Sequence, residues 1–346
     1  MNSLGRIFRV SLFGESHGRG VGVVIDGVPP GLELSVKDFA QDIRRRAPGE
    51  FGTTARREDD IPEILSGVYN GHTTGAPLTI LFVNRDTESD DYELFGNTPR
   101  PGHADFTAAS KFLGFNDPSG SGHFSGRLTL PLVAAGVVAK RVGSYGISAR
   151  IVELGGIRRE ALPEKALPDG SIQEKNTDAE IWHDALAAAK ADGDSLGAVV
   201  ECTVSNMIPG LGEPFFDSVE SLISHAIFSI PGVRGIEFGD GFRSAAMRGS
   251  QHNDPFVNIQ NGWAQLAKNG AGGVNGGISN GEPLVFRVAF KPTSSIARPQ
   301  TTYNKEEGKM ARLAIPGRHD VCFALRTPPI VEAVAAIVLA DLTLLK

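Results

Sequence analysis

Residues 67–78 read GVYNGHTTGAPL, and residues 273–284 read GVNGGISNGEPL. The two stretches are identical at six of twelve positions, and an apolar segment typical of a strand follows each of them. Repetition of this length within one chain indicates a repeated structural unit. This internal repeat therefore predicts that the chain is built from two related halves.

Two shorter repeats occur in the same order along the chain. Pro-Gly-Leu follows a valine-rich segment at both 30–32 and 209–211, and a predicted helix ends in Pro-Gly at both 48–49 and 231–232. Two similar halves would pack about a pseudo-twofold axis and leave a cleft between them. Such clefts are common ligand sites.

These repeats also indicate the domain organisation that we expect. We predict one domain over residues 1–346, built of two related halves at about 1–145 and 195–346. Residues 155–196 have no counterpart in the first half, so we expect an insertion there that is largely solvated.

Apolar periodicity predicts a mixture of strands and helices. Strand-like segments lie at 6–13, 20–25, 77–83, 147–153, 198–204 and 284–290. Helix-like segments lie at 36–46, 106–112, 130–142, 179–191, 219–228 and 330–345. Long helices among turn-punctuated strands are typical of the α+β class.

The composition is that of an ordinary globular protein, with 346 residues, 41% of them hydrophobic, and a formal net charge of −6. This charge argues against a general nucleic-acid binder. Arg9 and Ser11 interrupt the first apolar run, while Glu332 and Asp341 interrupt the last, so neither a signal peptide nor a membrane span is expected. The two cysteines give no disulfide framework, and we expect a cytoplasmic protein.

Four clusters of polar residues suggest the chemistry. They are FGESHGRG at 13–20, RRR at 44–46, RPGHAD at 100–105 leading to SGSGHFSGR at 119–127, and KPTSS at 291–295 with GRHD at 317–320. Arginine binds phosphate and carboxylate through a planar fork, histidine exchanges protons near neutral pH, and Gly/Ser loops present N–H groups to anions. Together the clusters predict one site for a small phosphorylated acid.

Single clusters also have simpler structural explanations. Cations at the end of a helix, such as those at 44–46, are stabilised by its dipole by about 0.3–1 kcal/mol. Adjacent arginines on a helix point in different directions, so at most one or two can face a common site. In RPGHAD we expect Asp105 to orient the imidazole of His103. The histidines outside the clusters are expected to be unimportant: His72, His183, His225 and His252.

Other classes of function have weaker support. The chain has no HExxH or paired CxxC spacing, so no metal site is expected, and it has no GxSxG elbow. Two alternatives stay open. One is a metal-independent phosphate lyase or hydrolase, and the other is a protein that binds polyanions such as RNA through its arginines.

The motifs, taken in order, resemble those of the chorismate synthase family. They are FGESHG (13–18), DGVPPG (26–31), RPGHAD (100–105), GDGF (239–242), RGS (248–250), GVNGGIS (273–279), KPTSS (291–295) and GRHD (317–320). Each motif is short, but the ordered set is specific and extends from about residue 6 to residue 340.

The resemblance implies a fold and a reaction. The fold is two antiparallel β-sheets sandwiched by helices, a β-α-β sandwich with pseudo-twofold internal symmetry, assembled as a homotetramer. The reaction is a 1,4-elimination of phosphate from 5-enolpyruvylshikimate 3-phosphate, which gives chorismate in the shikimate pathway of aromatic amino acid biosynthesis. This lyase depends on reduced flavin mononucleotide (FMN), with NADPH as a possible reductant.

The resemblance also implies roles for individual residues. His17 and His103 would act as acids, and Asp320 would relay the proton. The substrate-binding residues would be Ser16, Arg46, Arg100, Arg127 and Arg318. The flavin-binding residues would be His123, Phe124, Ser125, Pro231, Gly232, Gly276, Lys291, Pro292, Thr293, Ser294, Ser295 and Arg318.

The chain departs from the family pattern at three places. Many members have Arg-Arg-Pro-Gly followed by another arginine, whereas Ala47 is inserted here and Glu50-Phe51-Gly52 replace that arginine. This difference weakens the expectation of a nicotinamide contact. Many members have Arg-Ser-Ser where residues 123–125 read His-Phe-Ser, so the flavin phosphate would be held differently. The usual Asp-Pro-Cys reads Asp-Val-Cys at 320–322.

Overall fold

The computed structural model of the chain describes residues 2–54, 59–85, 93–159, 178–260, 263–315 and 319–346. Its strands are Ser3–Leu4 (β1), Arg9–Gly14 (β2), Gly20–Asp26 (β3), Glu63–Ser66 (β4), Val68–Tyr69 (β5), His72–Thr73 (β6), Leu78–Val83 (β7), Gly146–Leu154 (β8), Ile157–Arg158 (β9), Ala198–Ser205 (β10), Val233–Phe238 (β11), Phe256–Gln260 (β12), Trp263–Leu266 (β13), Val274–Asn275 (β14), Ile278–Ser279 (β15), Leu284–Phe290 (β16), Gln300–Asn304 (β17) and Lys309–Leu313 (β18).

The helices are Ala40–Arg46 (α1), Glu93–Asn97 (α2), Asp105–Lys111 (α3), Thr129–Ala139 (α4), Asp178–Ile181 (α5), His183–Ala191 (α6), Val219–Ile227 (α7), Gly249–His252 (α8) and Pro328–Leu345 (α9). Short 3-10 turns precede several of them. The mixture of helices with antiparallel sheets confirms the predicted α+β class.

Two five-stranded antiparallel sheets organise the strands. The first has the order β1-β2-β3-β7-β4, and the second has the order β11-β16-β10-β8-β9. Strands β5 and β6, β12 and β13, β14 and β15, and β17 and β18 form separate two-stranded hairpins. Along β3 and β16 the buried side chains alternate with less buried ones, so each sheet turns one apolar face to the core.

Helices α4 and α9 join the two sheets through one hydrophobic core. They pack against each other, α4 also contacts β3 and β7, and α9 also contacts β8 and β10. Every residue of α4 is buried, as its continuous apolar sequence requires. Gly136 permits the close approach of the helices, because a Cβ there would lie 2.3 Å from the Cβ of Ala333.

Helix α9 has the length and the mean hydropathy, 1.8, of a membrane-spanning segment, but most of it is buried inside the protein. Its two carboxylates have internal partners. Glu332 accepts hydrogen bonds from Arg45 and Lys140, and Asp341 accepts from the backbone N–H groups of residues 6–8. These contacts are those of a core helix.

The two similar stretches of sequence, residues 67–78 and 273–284, have the same fold. Residues 67–78 contain the hairpin of β5 and β6, and residues 273–284 contain the hairpin of β14 and β15. Each hairpin leads directly into a strand, β7 or β16, that pairs on both sides within a five-stranded sheet.

The expectation of a solvated insertion at 155–196 is wrong for its helical part. Trp182 and Leu186 are fully buried in the main core, and Ala189 continues the same helix face. The Trp182 indole also donates a 3.0 Å hydrogen bond to the carbonyl of Ile157. Residues 160–177 lie outside the described part of the chain.

Candidate active site

A cavity of about 1050 Å³ gathers residues from distant parts of the chain. Of the residues predicted for a site, those that line it are Arg46, Arg100, His103, His123, Phe124, Ser125, Arg127, Pro231, Gly232, Lys291, Pro292, Thr293, Ser294, Ser295 and Asp320. Three of the four polar clusters therefore meet at one cavity.

The three arginines at the end of α1 diverge, as the geometry of a helix requires. Arg44 is exposed, Arg45 Nη2 donates to Glu332 Oε1 at 2.7 Å, and Arg46 alone turns into the cavity. Burial, with the nearby guanidinium of Arg326, lowers the pKa of Arg46 to about 9. Only one member of this cluster can therefore act in the site.

A buried carboxylate, Asp60, holds two of the arginines side by side. Its Oδ2 accepts from Arg46 Nη1 at 3.3 Å, and its Oδ1 accepts from Arg127 Nη1 at 2.5 Å. Arg46 also donates to Thr129 Oγ1 and to the carbonyl of Gly126, both at 3.1 Å. The two guanidinium groups are therefore fixed in direction, which favours binding of an oxyanion.

Asn84 links Arg127 to the loop that carries the first cluster. Its Oδ1 accepts from Arg127 Nε at 3.1 Å, and its Nδ2 donates to the carbonyls of Glu15 at 3.0 Å and Gly18 at 2.8 Å. Asn84 follows the last residue of β7, so the strand sets its position.

Ser16 and His17 lie behind the cavity wall. Gly120 is part of that wall, and a Cβ on Gly120 would lie 2.3 Å from the imidazole Cδ2 of His17 and 2.9 Å from Ser16 Oγ. Only glycine leaves room for this contact, and its φ of +57° is also one that other residues rarely adopt. Ser16 Oγ is buried and has no hydrogen-bond partner among the described residues.

RPGHAD forms a compact ion-pair network. Arg100 donates from Nε and Nη2 to the two oxygens of Asp105, each at 2.7 Å, and His103 Nδ1 lies 2.6 Å from Asp105 Oδ1. Burial would raise the pKa of Asp105, but the hydrogen bonds from Arg100 and His103 outweigh it and hold this pKa well below its usual range. Asp105 does contact the imidazole, as predicted, and it also occupies much of the Arg100 fork.

Residues 291–295 form a further part of the cavity wall, next to RPGHAD. The backbone N–H of Lys291 donates to the carbonyl of Gly232 at 2.8 Å, and its ammonium donates to Ser294 Oγ. Burial and the charge of Arg234 lower the pKa of Lys291. Thr293 Oγ1 is buried with no hydrogen-bond partner in the part of the chain that the structure describes. The wall thus presents one ammonium and one uncommitted hydroxyl.

The side chains of residues 123–125 differ in their contacts and in their exposure to solvent. His123 bonds the carbonyl of Gly14 through Nδ1 and Asn2 Oδ1 through Nε2, both at 3.1 Å. Phe124 is 38% exposed, and Ser125 Oγ accepts from the backbone N–H of Arg127. This segment joins the first cluster to the arginine pair.

Comparison with known proteins accounts for the residues that meet at this cavity. The family model described as "Chorismate synthase" matches residues 8–344. The chain belongs to the chorismate synthase family.

Individual relatives agree with this assignment. Over 348 residues the chain is 53% identical to a chorismate synthase of Chitinophaga pinensis, a match that covers 100% of this chain and 97% of that protein. It is 46% identical to a chorismate synthase of Thermococcus gammatolerans, with 97% and 96% covered. A solved structure, "Crystal Structure of Chorismate Synthase", matches with a TM-score of 0.73 and 29% identity, covering 98% of this chain and 92% of that one.

Besides Ser16 and His17, one further residue expected from the chorismate synthase family does not line the cavity, and another lies outside the described residues. Gly276 lies in the β14–β15 hairpin and is not among the residues that line the cavity. Arg318 lies outside the described residues. Asp320 does line the cavity, and its Oδ1 accepts from the backbone N–H of Thr54 at 2.8 Å.

Several cavity residues of this chorismate synthase family member were not predicted from the sequence. They are Asp60, His225, Arg234 and Arg326. His225 was set aside because no polar motif surrounds it. Asp60 follows an Arg-Arg-Glu-Asp run that reads as a solvated segment, and Arg326 stands alone among apolar residues. Only the fold brings these residues to the cavity.

Proposed function

We propose that the chain is a chorismate synthase, which eliminates phosphate from 5-enolpyruvylshikimate 3-phosphate to give chorismate with the help of reduced FMN. The observation that carries the proposal is the meeting of Arg46, Arg100 and Arg127 with His103 and Asp320 at one cavity. Such a wall suits a substrate with one phosphate and two carboxylates, because guanidinium groups bind these oxyanions in a planar, two-pronged manner.

The proposed substrate-binding residues are Ser16, Arg46, Arg100, Arg127 and Arg318. Arg46 and Arg127 are the best supported pair, since both line the cavity and Asp60 fixes both guanidinium groups. The buried Ser16 Oγ, without a partner among the described residues, supports a role for its hydroxyl toward the same ligand. Arg100 also lines the cavity, where Asp105 fixes the direction of its guanidinium group.

The proposed proton-transfer residues are His17, His103 and Asp320. Asp105 engages His103 Nδ1, so Nε2 is the atom that can exchange a proton with a ligand. His17 packs behind Gly120, close to the Asn84 link with Arg127. The side chain of Asp320 is 13% exposed, and it can take or give a proton at the cavity surface.

The cavity has the properties that FMN would need. Its volume of about 1050 Å³ slightly exceeds the usual range for small-molecule sites, about 300–1,000 Å³, so it can hold a cofactor beside a substrate. The residues proposed to hold FMN are His123, Phe124, Ser125, Pro231, Gly232, Gly276, Lys291, Pro292, Thr293, Ser294, Ser295 and Arg318. The uncommitted Thr293 hydroxyl and the Lys291 ammonium support this wall. When bound, reduced FMN supplies electron density and a proton acceptor for the ring hydrogen, and NADPH is a possible source of its reduction.

We also propose that the halves at about 1–145 and 195–346 form a single β-α-β sandwich with pseudo-twofold symmetry. The strand orders β2-β3-β7-β4 and β8-β10-β16-β11 correspond one to one, and helices α4 and α9 contact each other and one sheet each. The matching strand orders support the pseudo-twofold symmetry. The helix contacts support an arrangement in which α4 and α9 lie between the two sheets.

A cytoplasmic homotetramer is the proposed form of the enzyme. Several large apolar side chains are exposed in the single chain, among them Phe215 at 87%, Phe216 at 90% and Phe242 at 84%. Phe215 and Phe216 are adjacent in the chain, and contiguous exposed apolar surface commonly marks an interface between chains, which supports an assembly.

An anaerobic assay tests the proposed function. The protein is mixed with 5-enolpyruvylshikimate 3-phosphate and no flavin, oxidised FMN, or chemically reduced FMN, and chorismate and phosphate are measured. We expect both products only with reduced FMN, although substrate and product differ by no net electrons. Phosphate release without flavin would instead support a flavin-independent lyase or hydrolase. Oxidised FMN with NADPH, as a fourth condition, asks whether the protein reduces its own flavin.

A further inference from the structure

Arg326 is a buried arginine for which the proposed function has no role. It ends the 3-10 turn Phe323–Arg326, immediately before α9, and is 8% exposed. It lines the same cavity as Arg46 and Arg127. A guanidinium in such a place needs acceptors, because burial of an unpaired charge is costly.

The described residues do not supply enough acceptors. Arg326 Nε is buried and has no hydrogen-bond partner among them. The nearest carboxylate oxygen, Asp320 Oδ1, lies 3.9 Å away, which is beyond hydrogen-bond length, and it already accepts from the backbone N–H of Thr54. The guanidinium carbon lies 5.4 Å from the ring centre of Phe323, a contact that leaves the N–H donors unsatisfied.

Arg326 also lies next to the arginine pair. Its Nη2 would be 4.0 Å from a Cβ placed on Gly126, and the carbonyl of Gly126 is an acceptor for Arg46. The charge of Arg326 is one cause of the lowered pKa of Arg46. Three guanidinium groups thus approach one region, and Asp60 already accepts from two of them.

We propose that Arg326 is a further substrate-binding residue, which donates to an oxyanion of the substrate in the cavity between Arg46 and Asp320. This proposal rests on the proposed function, since it takes the phosphorylated substrate as the source of the oxyanion. The bound phosphate or carboxylate would supply the acceptors that the described residues do not provide. It would also balance the positive charge that the three arginines share.

The test compares Arg326→Gln and Arg326→Met with the wild-type protein and with Arg312→Gln as a matched control. Arg312 is an arginine on the hairpin strand β18, and it is not among the residues that line the cavity. The dissociation constant of 5-enolpyruvylshikimate 3-phosphate is measured by calorimetry with oxidised FMN present, so that no turnover occurs. Inorganic phosphate and shikimate, which carries a carboxylate and no phosphate, are titrated separately.

We expect both Arg326 variants to bind the substrate roughly 10- to 100-fold more weakly, the usual effect of losing charge-assisted hydrogen bonds. The FMN affinity of both Arg326 variants should change by less than about twofold. The substrate affinity of Arg312→Gln should likewise change by less than about twofold. A loss confined to inorganic phosphate identifies the phosphate as the contact, and a loss confined to shikimate identifies a carboxylate. If Arg326→Met does not fold, the polar glutamine variant decides.

Substrate binding by folded Arg326→Gln within about twofold of wild type would overturn the proposal. The proposed function is judged separately, by whether the wild-type protein forms chorismate. A wild-type protein that makes chorismate and an Arg326→Gln variant that binds substrate normally would refute the role of Arg326 alone.

Discussion

His103 Nδ1 lies 2.6 Å from Asp105 Oδ1, and the same carboxylate binds the Nε and Nη2 atoms of Arg100. Asp105 therefore orients the imidazole and also neutralises the neighbouring guanidinium. A histidine that exchanges protons with a ligand needs a fixed ring and a defined tautomer, and this carboxylate favours a proton on Nδ1. The network thus connects the stability of the loop at 100–105 with the proposed chemistry of His103.

The first prediction concerns the pH dependence of stability. Because the folded-state pKa of Asp105 lies below its unfolded value, the folded protein binds fewer protons at acidic pH, and stability rises with pH through that window. Asp105 contributes its full stabilisation above about pH 4 and loses it as the pH falls toward the folded-state pKa. The free energy of unfolding of Asp105→Asn should therefore approach the wild-type value in acid.

Urea denaturation between about pH 3 and pH 7 measures this difference. Asp192→Asn, at an exposed position of the chain, is the control and should follow the wild-type curve. A constant gap between Asp105→Asn and wild type at all pH values would mean that Asp105 is not the titrating group.

The second prediction concerns Arg100. Arg100→Lys keeps the charge, but a single ammonium cannot replace two bonds to Asp105 together with the 3.2 Å bond to Ser295 Oγ. We expect about 1–3 kcal/mol less stability, as well as weaker substrate binding than in a surface Arg→Lys variant such as Arg312→Lys. Thermal melting and substrate titration measure the two effects. An unchanged melting temperature would show that the contacts to Asp105 contribute little.

The sequence predicted the central strands and long helices because their apolar periodicity is strong. The predicted strand 284–290 has the bounds observed for β16, and the predicted helix 330–345 differs from α9 by two residues at its start. The hairpins β12–β13 and β17–β18 were not predicted. Strand β17 reads QTTYN and β18 reads KMARL, and a polar hairpin away from the core carries no apolar alternation to detect.

The site was predictable where residues occur in motifs and not where they stand alone. The motifs that contain Arg46, Arg100 with His103, and Asp320 do meet at the cavity, whereas FGESHG lies behind its wall. Asp60, Asn84 and Arg326 were missed, since a single charged or amide residue has no local signature. Their importance comes from long-range contacts, such as that between Asp60 and Arg127, 67 residues apart.

The third prediction concerns Asp60. Asp60→Asn leaves Arg46 and Arg127 buried with a neutral partner, and removal of one member of a buried ion pair typically costs about 3–5 kcal/mol. We expect a loss near the lower end of this range, because the amide oxygen still accepts a hydrogen bond. The exposed neighbour gives a matched control, Asp59→Asn, which should change stability little. Equal unfolding free energies for the two variants would contradict this account.

The fourth prediction concerns the duplicated hairpins. Thr73 Oγ1 donates to the carbonyl of Pro29 and accepts from the N–H of Leu32. Ser279 Oγ makes the same two bonds, to the carbonyl of Ile208 and from the N–H of Leu211.

If the halves are equivalent, Thr73→Val and Ser279→Ala should each cost about 1–3 kcal/mol, since each leaves two backbone groups, at least partly buried, without their side-chain partner. The exchanges Thr73→Ser and Ser279→Thr keep the hydroxyl and should cost clearly less. Chemical denaturation of the four variants measures this. A large loss in one half and none in the other would argue against equivalent structural roles.

The last prediction separates the two proposed acids from other histidines. His17→Ala and His103→Ala should each slow a single turnover with saturating reduced FMN by roughly 10- to 1000-fold, because positioned acids and bases typically contribute about 10²–10⁴ and the flavin supplies part of the driving force. FMN binding and assembly should be retained. Asp320→Asn should be slowed similarly, since a neutral amide cannot accept a proton.

The control is His183→Ala, whose side chain is 56% exposed on α6 and does not line the cavity. His225 is unsuitable as a control, although no motif surrounds it, because the structure places it in the cavity wall. We therefore expect His225→Ala to alter binding or rate, in contrast to the inference from sequence alone. Wild-type rates for both His17→Ala and His103→Ala would exclude the proposed proton transfer while leaving the family assignment intact, since that assignment rests on similarity along the whole chain.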